Sequence, residues 1–213
     1  MRKELDDDGN VKLKTILIGE SGVGKTNLIR ILSKKAFNPN QESTVNCSFY
    51  KSEMIVDKNH YNVYLWDTIG QEKLQSLTRI FFKNSKIVVL VYDITSKVSF
   101  DQLDKWLEQV KESLGDSPVL GVLGNKKDLF MNEEVSEEEG QAYAKSIGAR
   151  WGLTSAKNNK ESFITFIENL IRDYDQTLTP VDNEEIKNVK KYSIVLKKEN
   201  TIKKRKRKKC VFF

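Results

Sequence analysis

The run Gly19-Glu20-Ser21-Gly22-Val23-Gly24-Lys25-Thr26 places three glycines, a lysine and a hydroxyl between an apolar segment and a helix-like one. Glycines let a backbone turn tightly enough for its N–H groups to converge on phosphate oxygens, and a helix starting there adds a favourable dipole. The spacing fits G-x-x-x-x-G-K-[ST]. In that arrangement Lys25 reaches β- and γ-phosphates and the Thr26 hydroxyl ligates Mg²⁺. A chance glycine-rich turn gives the same pattern in roughly one chain in a hundred of this length. Alone, the run means some nucleoside triphosphate, with an ATPase or a nucleotide kinase still open.

Asn125-Lys126-Lys127-Asp128 narrows the choice, because it follows the apolar segment Val119–Gly124. That is the strand end at which a doubly wound sheet binds ligands. An aspartate there accepts hydrogen bonds from N1–H and the 2-amino group of guanine. Adenine offers neither donor and would leave Asp128 unpaired. Asn125 either bonds the base edge or ties this loop to the phosphate loop, and the Lys126 stem can lie over the ring. Thr154-Ser155-Ala156-Lys157 follows the last strand-like segment and supplies a second base loop, with the Ala156 N–H aimed at guanine O6. Each tetrapeptide could be a solvated turn. In this order, each at a strand end behind a phosphate loop, they point to guanine.

Trp66-Asp67-Thr68-Ile69-Gly70-Gln71-Glu72 adds groups for the phosphate end. Asp67, at a strand end, is placed to hold Mg²⁺ through water. The Gly70 N–H can bond a γ-phosphate, and Gln71 can orient an attacking water. Thr44 lies in a polar loop, where its hydroxyl can reach Mg²⁺ when a γ-phosphate is present.

These residues need strand ends to stand on, and the pattern supplies them. Val11–Ile18 alternates and then runs apolar, as a buried central strand does. A helix follows through Leu28, Ile29, Ile31 and Leu32. Strands near Thr44–Ile55 and Tyr61–Trp66 read as an antiparallel hairpin about Asp57–His60. Then come strand Ile87–Tyr92, helix Ser99–Leu114, strand Val119–Gly124, helix Ser136–Ile147, strand Ala149–Leu153 and helix Ser162–Tyr174. Repeated βα units predict a mostly parallel sheet with helices on both faces. The reading divides the chain into an N-terminal extension (1–10), one folded domain (11–176), a flexible spacer (177–209) and the last four residues (210–213). A short apolar patch, residues 192–196, interrupts the polar spacer.

Across residues 11 to 176 these motifs resemble the Ras superfamily of small GTPases. The likeness is greatest to the Rab branch: Trp66 before Asp-Thr-x-Gly-Gln-Glu, Ser21 in the phosphate loop, Leu74-Gln75-Ser76-Leu77-Thr78, and Leu90-Val91-Tyr92-Asp93-Ile94-Thr95. No room exists between Asp128 and Ser155 for the extra helix of the Rho branch. The resemblance implies an α/β P-loop GTPase fold (a G domain) with six strands, one of them an antiparallel edge. It implies a monomeric switch that binds GTP or GDP with Mg²⁺, hydrolyses GTP slowly, and regulates membrane trafficking. A Ras- or Rho-like signalling GTPase is the alternative. Lys25 and Gln71 would be the catalytic residues, and Thr26, Thr44 and Asp67 the metal residues. Phe37 falls where the family sets an aromatic against guanine; its other reading is a core aromatic at a helix end. Exchange factors, GTPase-activating proteins and effectors would read the loops around Thr44 and Gly70. No arginine is placed to act in cis, so turnover awaits an activating partner.

The chain departs from the family at Ile69, where alanine is usual, at Asn46, where Rab proteins have glycine, and at Phe81-Phe82-Lys83-Asn84-Ser85. A branched residue beside Gly70 bears on the loop's conformation. The alternative of another class is therefore a GTP-binding module with impaired hydrolysis.

Composition fits this picture. Hydrophobic residues make up 38% and charged residues 31% of the 213, as in a globular domain. The longest strongly apolar run, Ile87–Val91, is far short of the roughly 20 residues of a membrane span. The acidic start MRKELDDDGN has no signal-peptide core. Two cysteines make no disulfide framework and fit a reducing compartment, and the single His60 leaves histidine chemistry out. Seven basic residues, Lys203 to Lys209, form one run; removing them from the net charge of +6 leaves −1. That asymmetry predicts a tail on an anionic membrane and no nucleic-acid face. Cys210-Val211-Phe212-Phe213 is a C-a-a-X end whose last residue favours geranylgeranyl on Cys210. One lipid anchors marginally and the basic run adds the second signal; a nuclear localisation signal is the rival reading of that run. The expected partners thus include a prenyltransferase and a prenyl-binding chaperone. The expected place is the cytosolic face of a membrane, with a cytosolic pool.

Overall fold

The computed structural model describes residues 4–6, 9–39, 41, 48–67 and 82–178. One mixed sheet contains β1 (Glu4–Leu5), β2 (Val11–Ile18), β3 (Ser48–Val56), β4 (Asn59–Asp67), β5 (Ile87–Asp93), β6 (Val119–Asn125) and β7 (Arg150–Leu153). Its order is β3-β4-β2-β5-β6-β7, with β1 against β2. Among the described residues the α-helices are α1 (Lys25–Leu32), α2 (Lys97–Asp101), α3 (Leu103–Leu114), α4 (Glu137–Ser146) and α5 (Lys160–Gln176). β2, β4, β5, β6 and β7 are parallel, and β3 pairs antiparallel with β4.

The expectation of six strands is corrected to seven among the described residues. β5 reaches β2 only from Thr15 onward, so the edge of β2 at Val11 and Lys12 lies open, and β1 fills it antiparallel. Asp6 secures the return: its N–H donates to Asn10 O at 2.9 Å, and its carboxylate accepts from the Asn10 N–H at 2.8 Å and from the buried Asn62 amide. Part of the expected N-terminal extension therefore belongs to the sheet. At the other end Leu178 is 8% exposed within the core, two residues past the expected boundary.

β5 shows why the fold is doubly wound. All seven of its residues are buried. Ile87, Val89 and Val91 face one layer with α1 and α5, while Val88, Leu90 and Tyr92 face the other with α2, α3 and α4. A parallel strand covered on both faces needs such a continuous apolar run. The β3–β4 hairpin turns on Asp57 and Lys58, both left-handed (φ 49° and 68°), as a tight primed turn requires. His60 is exposed beside that turn.

Local capping moves several boundaries. The helix expected from Ser99 starts at Lys97, because the Ser96 hydroxyl accepts the Ser99 N–H at 3.3 Å, and it is divided at Gln102. Ser136 caps α4 by accepting the Glu139 N–H at 3.2 Å, with three glutamates in the first turn, a favourable arrangement at the positive end of the helix. Asn159 caps α5 in the same way, through the Ser162 N–H at 3.1 Å.

Candidate functional site

Residues 19–24 carry the chain from β2 into α1 at the carboxyl edge of the sheet, where the strand order reverses. Two glycines are demanded by close approach. At Gly19 (φ 144°) a Cβ would stand 2.1 Å from the Val91 carbonyl oxygen, and at Gly24 (φ 98°) 2.4 Å from Asn125 Nδ2. The loop is thereby pressed against β5 and the end of β6. Gly22 is also left-handed (φ 79°) but faces open space. Ser21 is half-buried and Val23 buried. Gly24 caps α1 without a side-chain bond, and no acidic residue lies in the first turn, so the helix's positive end is not neutralised there.

Lys25 is 5% exposed. Its ammonium donates to the Gly19 and Glu20 carbonyls, each at 2.7 Å. Burial pushes its pKa down to about 8, while Asp67 and Glu20 oppose that shift. Asp67, at the end of β4, is 1% exposed and accepts from the Thr26 hydroxyl at 3.1 Å. Burial raises its pKa, against the Thr26 hydrogen bond and the Lys25 charge. A buried cation and a buried carboxylate thus stand at the mouth of one glycine-rich loop. Each gains from an opposite charge brought to the site.

Asn125, at the end of β6 and 1% exposed, joins three loops. Its amide donates to Val23 O at 2.8 Å, and its Oδ1 accepts the Ala156 N–H at 3.2 Å. Of the two roles open to Asn125 from sequence, the tie to the phosphate loop is the one seen. The Ala156 N–H, expected to aim at guanine O6, is engaged by Asn125. The half-buried Asp128 carboxylate accepts from the Ser155 hydroxyl at 2.5 Å. Ser155 in turn accepts N–H groups of Lys157 at 3.3 Å and Asn158 at 3.0 Å. Backbone bonds from Thr154 N to Gly124 O (2.8 Å) and Lys127 N to Thr154 O (3.0 Å) hold the two base loops side by side. Lys126 is left-handed (φ 68°), and its ammonium lies 2.6 Å from Asp93.

The structure therefore gathers Gly19, Ser21, Gly22, Val23, Gly24, Lys25, Thr26, Asp67, Asn125, Lys126, Asp128, Ser155, Ala156 and Lys157 at one edge. Phe37 is half-buried and packs against the core layer of α1 and α5. Thr44, Asn46, Ile69, Gly70, Gln71 and Cys210 lie outside the described residues, as do residues 74–78 and the tail. Sequence reasoning gave no role to Asp93, Glu20 and Trp106. Asp93 stands opposite Asn125 in the β5–β6 register, a signal that pairing the two strand ends could have exposed. The Trp106 indole N–H donates to Glu20 at 3.1 Å, a contact that no local spacing signals.

A model of the Ras family matches residues 14–175. Ras-related protein Rab-21 of Geodia cydonium is 39% identical over 150 residues, which are 70% of this chain and 66% of that protein. Rab-21 of Homo sapiens is 36% identical over 161 residues, 74% of this chain and 72% of its own. GTP-binding protein ypt3 of Schizosaccharomyces pombe is 34% identical over 170 residues, with coverage of 78% and 79%. The family match runs from within β2 almost to the end of α5, across every loop just described. The chain belongs to the Ras superfamily and is a Rab-like small GTPase.

Proposed function

We propose that this protein binds GTP and GDP with Mg²⁺ at the edge built by the phosphate loop and the two base loops. It hydrolyses GTP slowly and serves membrane trafficking as a switch. The observation that carries the reading is the Asn125 clasp. One buried side chain fixes Val23 of the phosphate loop and Ala156 of a base loop, so phosphate and base recognition are built as one unit. Asp128, held by Ser155, is the acceptor that guanine satisfies and adenine leaves unpaired, a difference on the order of 10⁴-fold or more.

The fit to Mg²⁺ rests on chemistry present at the loop. A buried carboxylate, Asp67, shares a hydrogen bond with the Thr26 hydroxyl, and hard oxygen donors of this kind suit that ion. Thr26, Asp67 and, in the GTP form, Thr44 would hold it, and the bound ion would neutralise charge developing on the transferred phosphoryl group. Lys25 supplies the fixed positive charge, Gly70 an N–H for the γ-phosphate, and Gln71 orients the attacking water. Order in the loops of Thr44 and Gly70 then reports the γ-phosphate to exchange factors, activating proteins and effectors. Among the described residues no helix is long and apolar enough to cross a membrane. Attachment is assigned to a prenyl group on Cys210, delivered by a prenyltransferase and a prenyl-binding chaperone, together with the basic run on an anionic leaflet.

Displacement of a fluorescent GDP from the full chain tests the binding claim. Unlabelled GDP and GTP should compete at equal concentration, ATP should fail at thousandfold excess, and chelating Mg²⁺ should speed release. Competition by ATP at the level of GTP would contradict it.

A further inference from the structure

Trp106 lies on α3, outside every loop of the site, and is 7% exposed among Leu103, Leu107 and Val110 of the core. Its indole N–H nevertheless crosses to the phosphate loop and donates to Glu20 Oε1 at 3.1 Å. Glu20 matters there through its backbone, because its carbonyl is one of the two that hold the Lys25 ammonium. The loop around it contains Gly19, Gly22 and Gly24, all at positive φ, and so has backbone freedom that a side-chain tether would restrain. An indole is well suited to that task. It gives one directional hydrogen bond to the carboxylate without adding a cation that would compete with Lys25 for phosphate oxygens.

We propose that Trp106 is a positioning residue for the nucleotide site: it pins Glu20 to α3 and so keeps the phosphate loop, and the carbonyl on Lys25, in the shape that receives phosphate. An element of the core thereby governs how long nucleotide stays bound. The inference rests on the nucleotide reading above.

The test is the release rate of fluorescent GDP from the full chain carrying Trp106→Phe, Glu20→Ala, both together, or Glu20→Gln. Each of the first two should release GDP about fivefold to tenfold faster, the scale of one ordinary net hydrogen bond, since the Glu20 carboxylate is partly exposed. The double variant should be no faster than the faster single one, because both remove the same interaction. Glu20→Gln, which keeps an acceptor for the indole, should recover most of the slow release. A merely structural loss at Trp106 would multiply with Glu20→Ala and be indifferent to Gln. Wild-type release from Glu20→Ala, or multiplying effects in the double variant, overturns the inference. If Trp106→Phe does not fold, the Ala and Gln variants decide the matter alone, since they leave the core untouched. A wild-type chain that holds no GDP would sink the proposed function itself; one that holds GDP beside unchanged variants would sink only this inference.

Discussion

Replacing Asn125 by alanine would cut the clasp that joins the phosphate loop to the base loops. The side chain is 1% exposed, and both of its partners, Val23 O at 2.8 Å and the Ala156 N–H at 3.2 Å, are buried bonds. Each partner left unsatisfied costs about 1–3 kcal/mol, so the pair sets a range of roughly 2–6 kcal/mol. Water entering from the adjacent loops would bring the value toward the lower end, about 2–3 kcal/mol. The loss should appear twice. Urea unfolding of the nucleotide-free chain should show it as a lower midpoint at unchanged slope. GDP affinity should also fall, because two loops no longer held together must be ordered by the ligand; 1.4 kcal/mol of that cost is about tenfold. Release of fluorescent GDP should accelerate at least tenfold. A folded Asn125→Ala protein that released GDP within about threefold of wild type would show that the clasp does not unite the two halves of the site.

Other parts of the structure make separate predictions. Between about pH 8 and 10.5 the unfolded chain keeps the Lys25 proton while the ligand-free folded chain has lost it, so this group makes ligand-free stability rise with pH across that window. Phosphate favours the charged lysine, so GDP affinity should fall above pH 8, by at most about tenfold per unit; titrations at pH 7 to 10 with Lys25→Met as reference check both signs. Asp128→Asn puts an amide donor against the guanine amino group and should weaken GDP by about 100-fold or more. Xanthosine diphosphate, with a carbonyl at that position, should gain in calorimetric titration. Tyr61→Phe removes the hydroxyl that donates to Asp175 and should cost about 1–2 kcal/mol in urea unfolding. It should leave GDP release unchanged, since Tyr61 pairs with Val11 at the end of β2 away from the phosphate loop.

The sequence made the sheet legible wherever burial leaves a local pattern. Val11–Ile18 coincides with β2 because its switch from alternation to a solid apolar run records one covered face becoming two. Glu4–Leu5 had no such record: two residues carry no period, and β1 is secured by the contact of Asp6 with Asn62, 56 positions away. The helix at Lys97–Asp101 begins ahead of Ser99 because the Ser96 hydroxyl caps it, and a single capping hydroxyl carries no period. The site was legible as motifs, since loops at strand ends need particular residue types in order. How those motifs hold one another was not. Asn125 had two roles open to it, and the pairs Lys126–Asp93 and Trp106–Glu20 join residues that only the fold brings together.

A guanine-nucleotide switch of the proposed kind turns itself off by hydrolysis. Its most direct test is single-turnover release of phosphate from GTP preloaded on the full chain with Mg²⁺, run beside Gln71→Leu. The wild type should hydrolyse GTP slowly, on the order of 10⁻⁴ per second as for an unassisted small GTPase, and the variant should lose that activity. Equal hydrolysis by both, or no phosphate from either, would contradict it; the second result would leave a nucleotide-binding module, with Ile69 as the residue to revert to alanine.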